Sequence, residues 1–351
     1  MVPGRHSETM KTAILTGGGD CPGLNAVIRA VVRRVLAEGH EAIGYRRGWA
    51  GVLEGDSVEL GRKDIAGLLP RGGTILLSSR TNPYADGADG TEVVRKQLEA
   101  DGVDALVVIG GEDTLGVAAR LAADGLGVVG VPKTIDNDLP GTDRTFGFDT
   151  AVQIATDAID RLHTTAESHD RIIIVEVMGR HAGWIACAAG LAGGADLILV
   201  PERPFEIDTV CSHLRSRHET GRSFSIVVTS EGATPAGGGL VTQTGATDAF
   251  GHARLGGIGF WLEGEIAQRT GYDARAVILG HVQRGGTPTA TDRILATRLG
   301  LQAADAVLSG HFGVMAALHG TEVTTVPLAR ALESPRLLDP ELYADAEVFF
   351  G

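Results

Sequence analysis

Short apolar runs, mostly β-branched and without polar alternation, recur along the chain, and each stops at glycine or a polar cluster. They are Thr12–Thr16 before GGGD, Ala105–Ile109 before GGEDT, Val128–Val131 before PKTIDND and Ile172–Val177 before MGRH. Further along come Leu197–Val200 before PER, Ile226–Val228 before TSEGA and Ala276–Leu279 before GHVQRGG. Runs of this length read as strands buried on both faces, and hence as a parallel sheet. Between them the period lengthens to that of a helix. Asn25–Glu38 places apolar residues at i, i+3, i+4 and i+7, with Gly39 as a stop, and Ala151–Thr164 and Thr291–Ala304 behave alike. The alternation predicts a doubly wound α/β architecture. In such sheets ligands bind beyond the carboxyl ends of the strands, where the polar and glycine-rich clusters fall. One such cluster would be merely a turn; a succession of them points to a site.

Composition narrows the function. A chain of 351 residues suggests two domains, and its 50 glycines imply many places where backbone comes close to something. The net charge of −13 argues against nucleic acid or an anionic membrane as partner, so any anion site must be made by local cations and backbone N–H groups. Cys21, Cys187 and Cys211 are scattered, odd in number and without zinc spacing, which suits a reduced cytoplasm. No apolar run approaches the length of a membrane span. Residues 1–9 lack the apolar core of a secretory signal and read as a floppy extension, with Met10 an alternative start. Thr234–Gly257 reads as an exposed excursion or hairpin.

The clusters differ in what they can do. Gly17-Gly18-Gly19-Asp20, between a strand and a helix, would let backbone N–H groups approach a phosphate, although it fits neither a dinucleotide fingerprint nor a P-loop. In Gly110-Gly111-Glu112-Asp113-Thr114, Glu112 is a reasonable ligand for a magnesium ion that keeps waters and substrate phosphates; the plainer reading is a helix start whose acids complement the dipole. In Lys133-Thr134-Ile135-Asp136-Asn137-Asp138 a lysine can neutralise a phosphoryl group and an aspartate can take a hydroxyl proton. An Asx-rich turn would explain Asp136 to Asp138 but not the neighbouring Lys133 and Thr134. Arg171, Arg180, Arg275 and Arg284, the last close to His281, recur at later strand ends, where bidentate cations suit a dianionic phosphate. For any single one a surface ion pair is the plainer role. The set points to phosphoryl transfer between two phosphate-bearing molecules.

The stretches LTGGGDCPGLNAVIRAVV, RGGTILLSSRTNP, VIGGEDTLG, VPKTIDNDLPGTDRTFGFDTA, VEVMGRHAGWIA and LGHVQRGGTPTATDRILATRLG, in this order, resemble the 6-phosphofructokinase family over essentially Lys11 to Gly351. The resemblance implies two doubly wound, mainly parallel-sheet domains with the active site between them. Residues 10–146 and about 283–333 would bind the phosphoryl donor; residues 147–282 and about 334–351 would bind the sugar phosphate. It implies that Asp136 deprotonates the 1-hydroxyl of fructose 6-phosphate, with Thr134 and Asp138 supporting the transfer and Arg180 stabilising the moving phosphoryl. Ile135, Met178, Gly179, Glu231, His281 and Arg284 would hold the sugar phosphate. Arg171 and Arg275 would reach the 6-phosphate of a neighbouring subunit, making the enzyme a homo-oligomer, dimer or tetramer. Gly19, Arg80, Asp113, Thr114 and Lys133 would line the donor site, with Glu112 on the Mg²⁺.

Within that resemblance the donor is an open choice. Members using ATP typically read GGDGS and PGTIDND, whereas this chain reads GGEDT and PKTIDND. Asp113 stands where glycine would leave room for the α-phosphate of ATP. Two unit charges about 4 Å apart interact by roughly 4 kcal/mol at an effective dielectric of 20, on the order of 10³ in affinity. Pyrophosphate is therefore the expected donor and ATP the alternative, since the longer Glu112 could shift the metal and let Asp113 swing away. Sedoheptulose 7-phosphate is an alternative acceptor. An NAD or lipid kinase, or a non-catalytic sugar-phosphate sensor, are the readings from other classes. Arg29 and Arg33 match effector-site arginines of regulated members, but His163 replaces a third, so weak or absent nucleotide regulation is expected.

Overall fold

The computed structural model describes residues 9–238, 242–247, 253–255 and 257–350. The expected extension at 1–9 lies outside these except for Thr9, and much of the excursion at 234–257, Gly239 included, lies outside them too. The chain runs β1 (Lys11–Thr16), α1 (Leu24–Ala37), β2 (Glu41–Tyr45), α2 (Trp49–Glu54), β3 (Ser57–Glu59), α3 (Gly90–Ala100), β4 (Ala105–Gly110), α4 (Glu112–Ala123) and β5 (Val128–Pro132). It continues through α5 (Phe148–Ser168), β6 (Ile172–Val177), α6 (Trp184–Ala192), β7 (Leu197–Leu199), α7 (Ile207–Glu219), β8 (Ser225–Ser230), β9 (Thr242–Thr247), β10 (Ala253–Leu255), α8 (Ile258–Thr270) and β11 (Ala274–Ile278). It ends with α9 (Ala290–Leu308), β12 (Val314–His319), β13 (Glu322–Pro327) and α10 (Pro340–Glu347).

Two compact units divide these elements. One holds 1–134, 139–147 and 286–334; the other holds 135–138, 148–285 and 335–351. The first unit contains a seven-stranded sheet in the order β13-β12-β5-β4-β1-β2-β3. Its five central strands are parallel, as continuous burial on both faces requires, and β3 and β13 close the edges antiparallel. Leu15, Leu106, Val108, Leu115, Leu121 and Met315 belong to the core on one side of this sheet.

The second unit contains a parallel four-stranded sheet, β11-β6-β8-β7, and the antiparallel pair β9–β10, the hairpin expected within the excursion. Its core brings Ile172 and Ile174 of β6 against Leu214 of α7 and Leu262 and Ile266 of α8. In both units the carboxyl ends of the parallel strands carry the clusters singled out above. Residues 135–138 belong to the second unit although the strand that delivers them, β5, belongs to the first. All three cysteines are buried. No helix among the described residues is long and apolar enough to cross a membrane.

Candidate active site

After β1 the Gly17–Gly19 turn is held by its own backbone. Gly17 N–H donates to the Ile109 carbonyl at the end of β4, and Gly18 N–H donates to Ser79, both at 3.0 Å. Two of the N–H groups expected to approach a phosphate are therefore used in joining β1 to β4 and to the segment 71–81. The Ser78 hydroxyl donates to the Gly18 carbonyl at 2.5 Å. Lys133, only 3% exposed, sends its Nζ to the Gly19 carbonyl, also at 2.5 Å. The ammonium therefore lies in the hollow of the turn, 3.5 Å from where a Gly18 Cβ would be. Thr114, buried in the first turn of α4, packs so closely on Gly17 and Gly110 that neither position has room for a side chain.

The segment that ends in Arg80 has an organiser that the motif reading passed over. Asn25, fully buried at the start of α1, donates through Nδ2 to Arg71 and Gly72 carbonyls at 3.0 and 3.2 Å and accepts from Ile75 N–H at 2.9 Å. Thr16 adds a bond from its hydroxyl to the Leu77 carbonyl, and Ser79 one to Arg47. A buried amide satisfied on both its ends fixes a loop far better than the loop's own sequence could. Arg80 emerges from this frame exposed. Glu112 is exposed and Asp113 half-buried in the first turn of α4, where acids complement the helix dipole. No group of three His, Cys, Asp or Glu among the described residues could hold a metal by itself.

In the second unit the turns after β6 and β8 are stitched together. Gly179 adopts a φ of 136°, and a Cβ there would strike the Ser230 hydroxyl and the Ala182 carbonyl. Ser230 donates to the Gly179 carbonyl at 2.6 Å, Gly232 N–H donates to the same oxygen at 3.1 Å, and Glu231 N–H donates to Val177 at 2.8 Å. Met178, Gly179, Arg180 and Glu231 are thus placed by one backbone lattice. A second residue that sequence reasoning missed is Gln283, fully buried inside GHVQRGG. Its Oε1 accepts from Met178 N–H at 3.4 Å and its Nε2 donates to Gly280 at 3.2 Å, tying the turn of His281 and Arg284 to that of Met178. The signal available was a glutamine set between two charged candidates in one short motif.

The electrostatics here are dominated by acids. Burial pushes the Glu231 carboxyl up to about 7, helped by Asp136 and Glu176 and opposed by the Gly179 N–H and Arg180. Burial also raises the carboxyl of Glu176, which is 2% exposed at the end of β6 and was read only as part of an apolar run. The 135–138 segment is fixed from the C-terminal stretch. Arg336 N–H donates to Asp138 at 2.8 Å, Arg336 Nη1 to Asn137 at 3.3 Å, and its guanidinium stacks on Trp184 with 4.1 Å to the ring centre. The Ile135 side chain is fully buried.

Arg171 and Arg275 converge on one carboxylate. Arg171 Nε pairs with Asp273 Oδ2 and Arg275 Nη1 with Asp273 Oδ1, each at 2.5 Å, leaving both guanidinium groups partly exposed. The structure therefore gathers Gly19, Lys133 and Thr114, with Asp113 beside Thr114, in one unit. In the other it gathers Met178, Gly179, Arg180, Glu231 and Asp136, with His281 and Arg284 tied in through Gln283. The His163 ring lies 2.7 Å from the Gly193 carbonyl at the end of α6.

Known proteins with similar sequence and structure fit this arrangement. The phosphofructokinase family profile matches residues 11–307. A pyrophosphate–fructose 6-phosphate 1-phosphotransferase of Amycolatopsis methanolica is 62% identical over 343 residues, covering 97% of this chain and all of that protein. An ATP-dependent 6-phosphofructokinase 3 of Streptomyces coelicolor is 54% identical, covering 96% of this chain and 99% of that protein. The crystal structure of Pichia pastoris phosphofructokinase in the T-state superposes with a TM-score of 0.83 at 31% identity, covering 99% of this chain and 37% of that longer one. With both its sequence and its fold matched over most of its length, the chain belongs to the phosphofructokinase family.

Proposed function

We propose that this chain transfers a phosphoryl group reversibly between pyrophosphate and the 1-hydroxyl of fructose 6-phosphate. The observation that carries the choice of donor is the ammonium of Lys133 lodged in the Gly17–Gly19 hollow, with Asp113 in the first turn of α4. A compact diphosphate needs a cation at this depth, and a nucleotide needs open space that the lysine and the extra carboxylate take away. The 62% identical Amycolatopsis relative is named for pyrophosphate, which supports this donor; the 54% identical Streptomyces relative named for ATP supports the alternative.

The chemistry follows from the roles available. The Asp136 carboxylate takes the proton of the 1-hydroxyl while that oxygen bonds to the transferred phosphorus and the bond to the departing phosphate breaks. Thr134 and Asp138 flank the base and keep its geometry. Arg180 meets the charge that builds on the transferring group. Met178, Gly179, Glu231, His281 and Arg284 hold the sugar phosphate, and Arg171 and Arg275 serve the 6-phosphate of a second copy in a homo-oligomer. Lys133 and Asp136 are three residues apart, so chain geometry alone keeps their Cα atoms within about 11 Å. A magnesium ion fits Glu112, an exposed single carboxylate, because this ion binds through one or two carboxylates and the substrate's own phosphates. When bound it would neutralise charge on the phosphate oxygens. Cytoplasmic residence suits both substrates.

Steady-state kinetics with each donor test the proposal. Turnover is expected with pyrophosphate, and Asp113→Gly should raise kcat/KM for ATP by on the order of 10³. A native preference for ATP that Asp113→Gly leaves unchanged would sink the charge argument. Turnover with neither donor would revive the sensor reading.

A further inference from the structure

Glu176 is a carboxylate in a run otherwise made of isoleucine and valine, and in such a place an acid must be paired or lose its charge. Its partners are backbone groups of α8. Oε2 accepts from Gly259 N–H at 2.7 Å, and the Gly257 N–H is a second donor to the carboxylate. These groups belong to the N-cap and first turn of a 13-residue helix, whose positive end favours an anion. Gly257 reaches its position with a φ of 104°. A Cβ on Gly259 would come within 3.1 Å of the same carboxylate oxygen, so the helix is seated directly on it. The Glu176 carbonyl accepts from Leu279 N–H at 3.0 Å, at the head of the turn that carries His281 and Arg284.

The strand register brings this group to Glu231. β6 and β8 run parallel with Glu176 opposite Thr229. Side chains two residues apart share a face of a sheet, so Glu231, just past the end of β8, is the diagonal neighbour of Glu176. The two are close enough that the charge of Glu176 helps to raise the Glu231 carboxyl. Facing Glu231 are Asp136 from the 135–138 segment, Glu176 from β6, and Arg180 and the Gly179 N–H from the turn after β6. Two carboxylates therefore act against Glu231 and one guanidinium acts for it.

We propose that Glu176 is a positioning residue for sugar-phosphate binding, its buried carboxylate locked onto the first turn of α8 and acting through Glu231 on the neighbouring strand. The proposal rests on Glu231 being a sugar contact. Only an ionised carboxylate can accept hydrogen bonds from sugar hydroxyls through both oxygens without competing as a donor. With the Glu231 carboxyl held near 7, binding of the sugar phosphate strengthens as pH rises through neutrality. Glu176 contributes to that position by repulsion, and α8 holds Glu176 where it can.

Glu176→Gln tests this, since glutamine keeps the shape and an acceptor for Gly259 N–H while removing the charge. In the variant the pH limb of KM for fructose 6-phosphate should move to lower pH by about half a unit or more, with kcat changing less than KM. A limb that stays in place in a folded variant overturns the proposal. Infrared titration of carboxyl groups without substrate separates this coupling from the role of Glu231 in binding. One carboxyl should titrate near neutral pH in the native chain, shift downward in Glu176→Gln, and vanish in Glu231→Gln. If Glu176→Gln does not fold, the native chain decides: no carboxyl titrating near neutrality overturns the proposal. An unchanged KM for fructose 6-phosphate in Glu231→Gln overturns the underlying reading of Glu231 instead.

Discussion

Around the Gly17–Gly19 turn most of the ordering groups are neutral: backbone N–H groups, the Asn25 amide, and the hydroxyls of Thr16, Ser78 and Ser79, with the Lys133 ammonium drawn into the hollow. Beyond β6 the ordering groups are also backbone and a buried amide, Gln283, but the hollow faces Glu231, Glu176 and Asp136 against Arg180. The same device, a satisfied amide beneath glycine turns, therefore frames two opposite electrostatic surfaces. The first holds a cation already desolvated in its hollow. The second has to keep like charges together, and it does so by raising the pKa of one carboxyl. The difference teaches that the frames can be conserved in kind while the groups they present are chosen for different work.

The change expected to break the comparison most completely is Asp136→Asn. Asparagine keeps the shape and cannot take a proton, so kcat should fall roughly 10²- to 10⁴-fold with either donor, while KM values change far less. A kcat within tenfold of native would remove Asp136 as the base. The same variant also sharpens the electrostatic half of the comparison, because it deletes one of the charges that raise Glu231. Its sugar-binding limb should move to lower pH, as in Glu176→Gln.

Glu231→Gln comes next and reads stability. The Glu231 carboxyl rises from 4.5 to about 7 on folding, so between those values the folded chain binds more protons than the unfolded one. Stability is fully present below 4.5 and declines as pH rises through about 7, because the native state must then ionise a group that its surroundings disfavour. Glutamine removes that penalty. At pH 8 the variant should be more stable than native by about 2–3 kcal/mol in denaturant unfolding, and the gap should close as pH falls toward 4.5. Equal stability at both ends of the range would mean that the acids beyond β6 are not in conflict.

How much of this was legible in the sequence depended on which faces of each element are buried. The runs at 12–16, 105–109, 128–131 and 172–177 were readable as strands because both their faces lie inside a sheet. The two edge strands of the seven-stranded sheet were not. β13 alternates exposed and half-buried positions, and β3 has only three residues, so neither leaves a continuous apolar run. β8 extends beyond Ile226–Val228 because Ser225, Thr229 and Ser230 are buried polar residues, which an apolar-run criterion cuts away. Charged candidates such as Lys133, Asp136 and Arg180 stood out because a charge at the end of a buried strand needs a reason. Glu176 and Gln283 were hidden by the converse: one lies within an apolar run, the other between louder neighbours, and both work through backbone atoms that no residue pattern displays.

Gln283 offers the smallest effect and the most direct test of the shared frame. Gln283→Met keeps the volume in a fully buried position and removes both hydrogen bonds, leaving Met178 N–H and the Gly280 carbonyl to find others. Each bond is long and its net worth is about 1 kcal/mol, so the molecule should still fold. What it should lose is the relative placement of the turns bearing Met178 to Arg180 and His281 to Arg284. We expect KM for fructose 6-phosphate to rise about tenfold, with KM for the donor unchanged and kcat lowered less than threefold, as befits a loss of ground-state and transition-state binding together. The matching change in the first unit, Asn25→Leu, should show the mirror image: a raised donor KM and an unaltered sugar KM, through the loop that carries Arg80. If either variant raises both KM values equally, the two frames are coupled, and the division of labour between a cationic and an acidic surface fails.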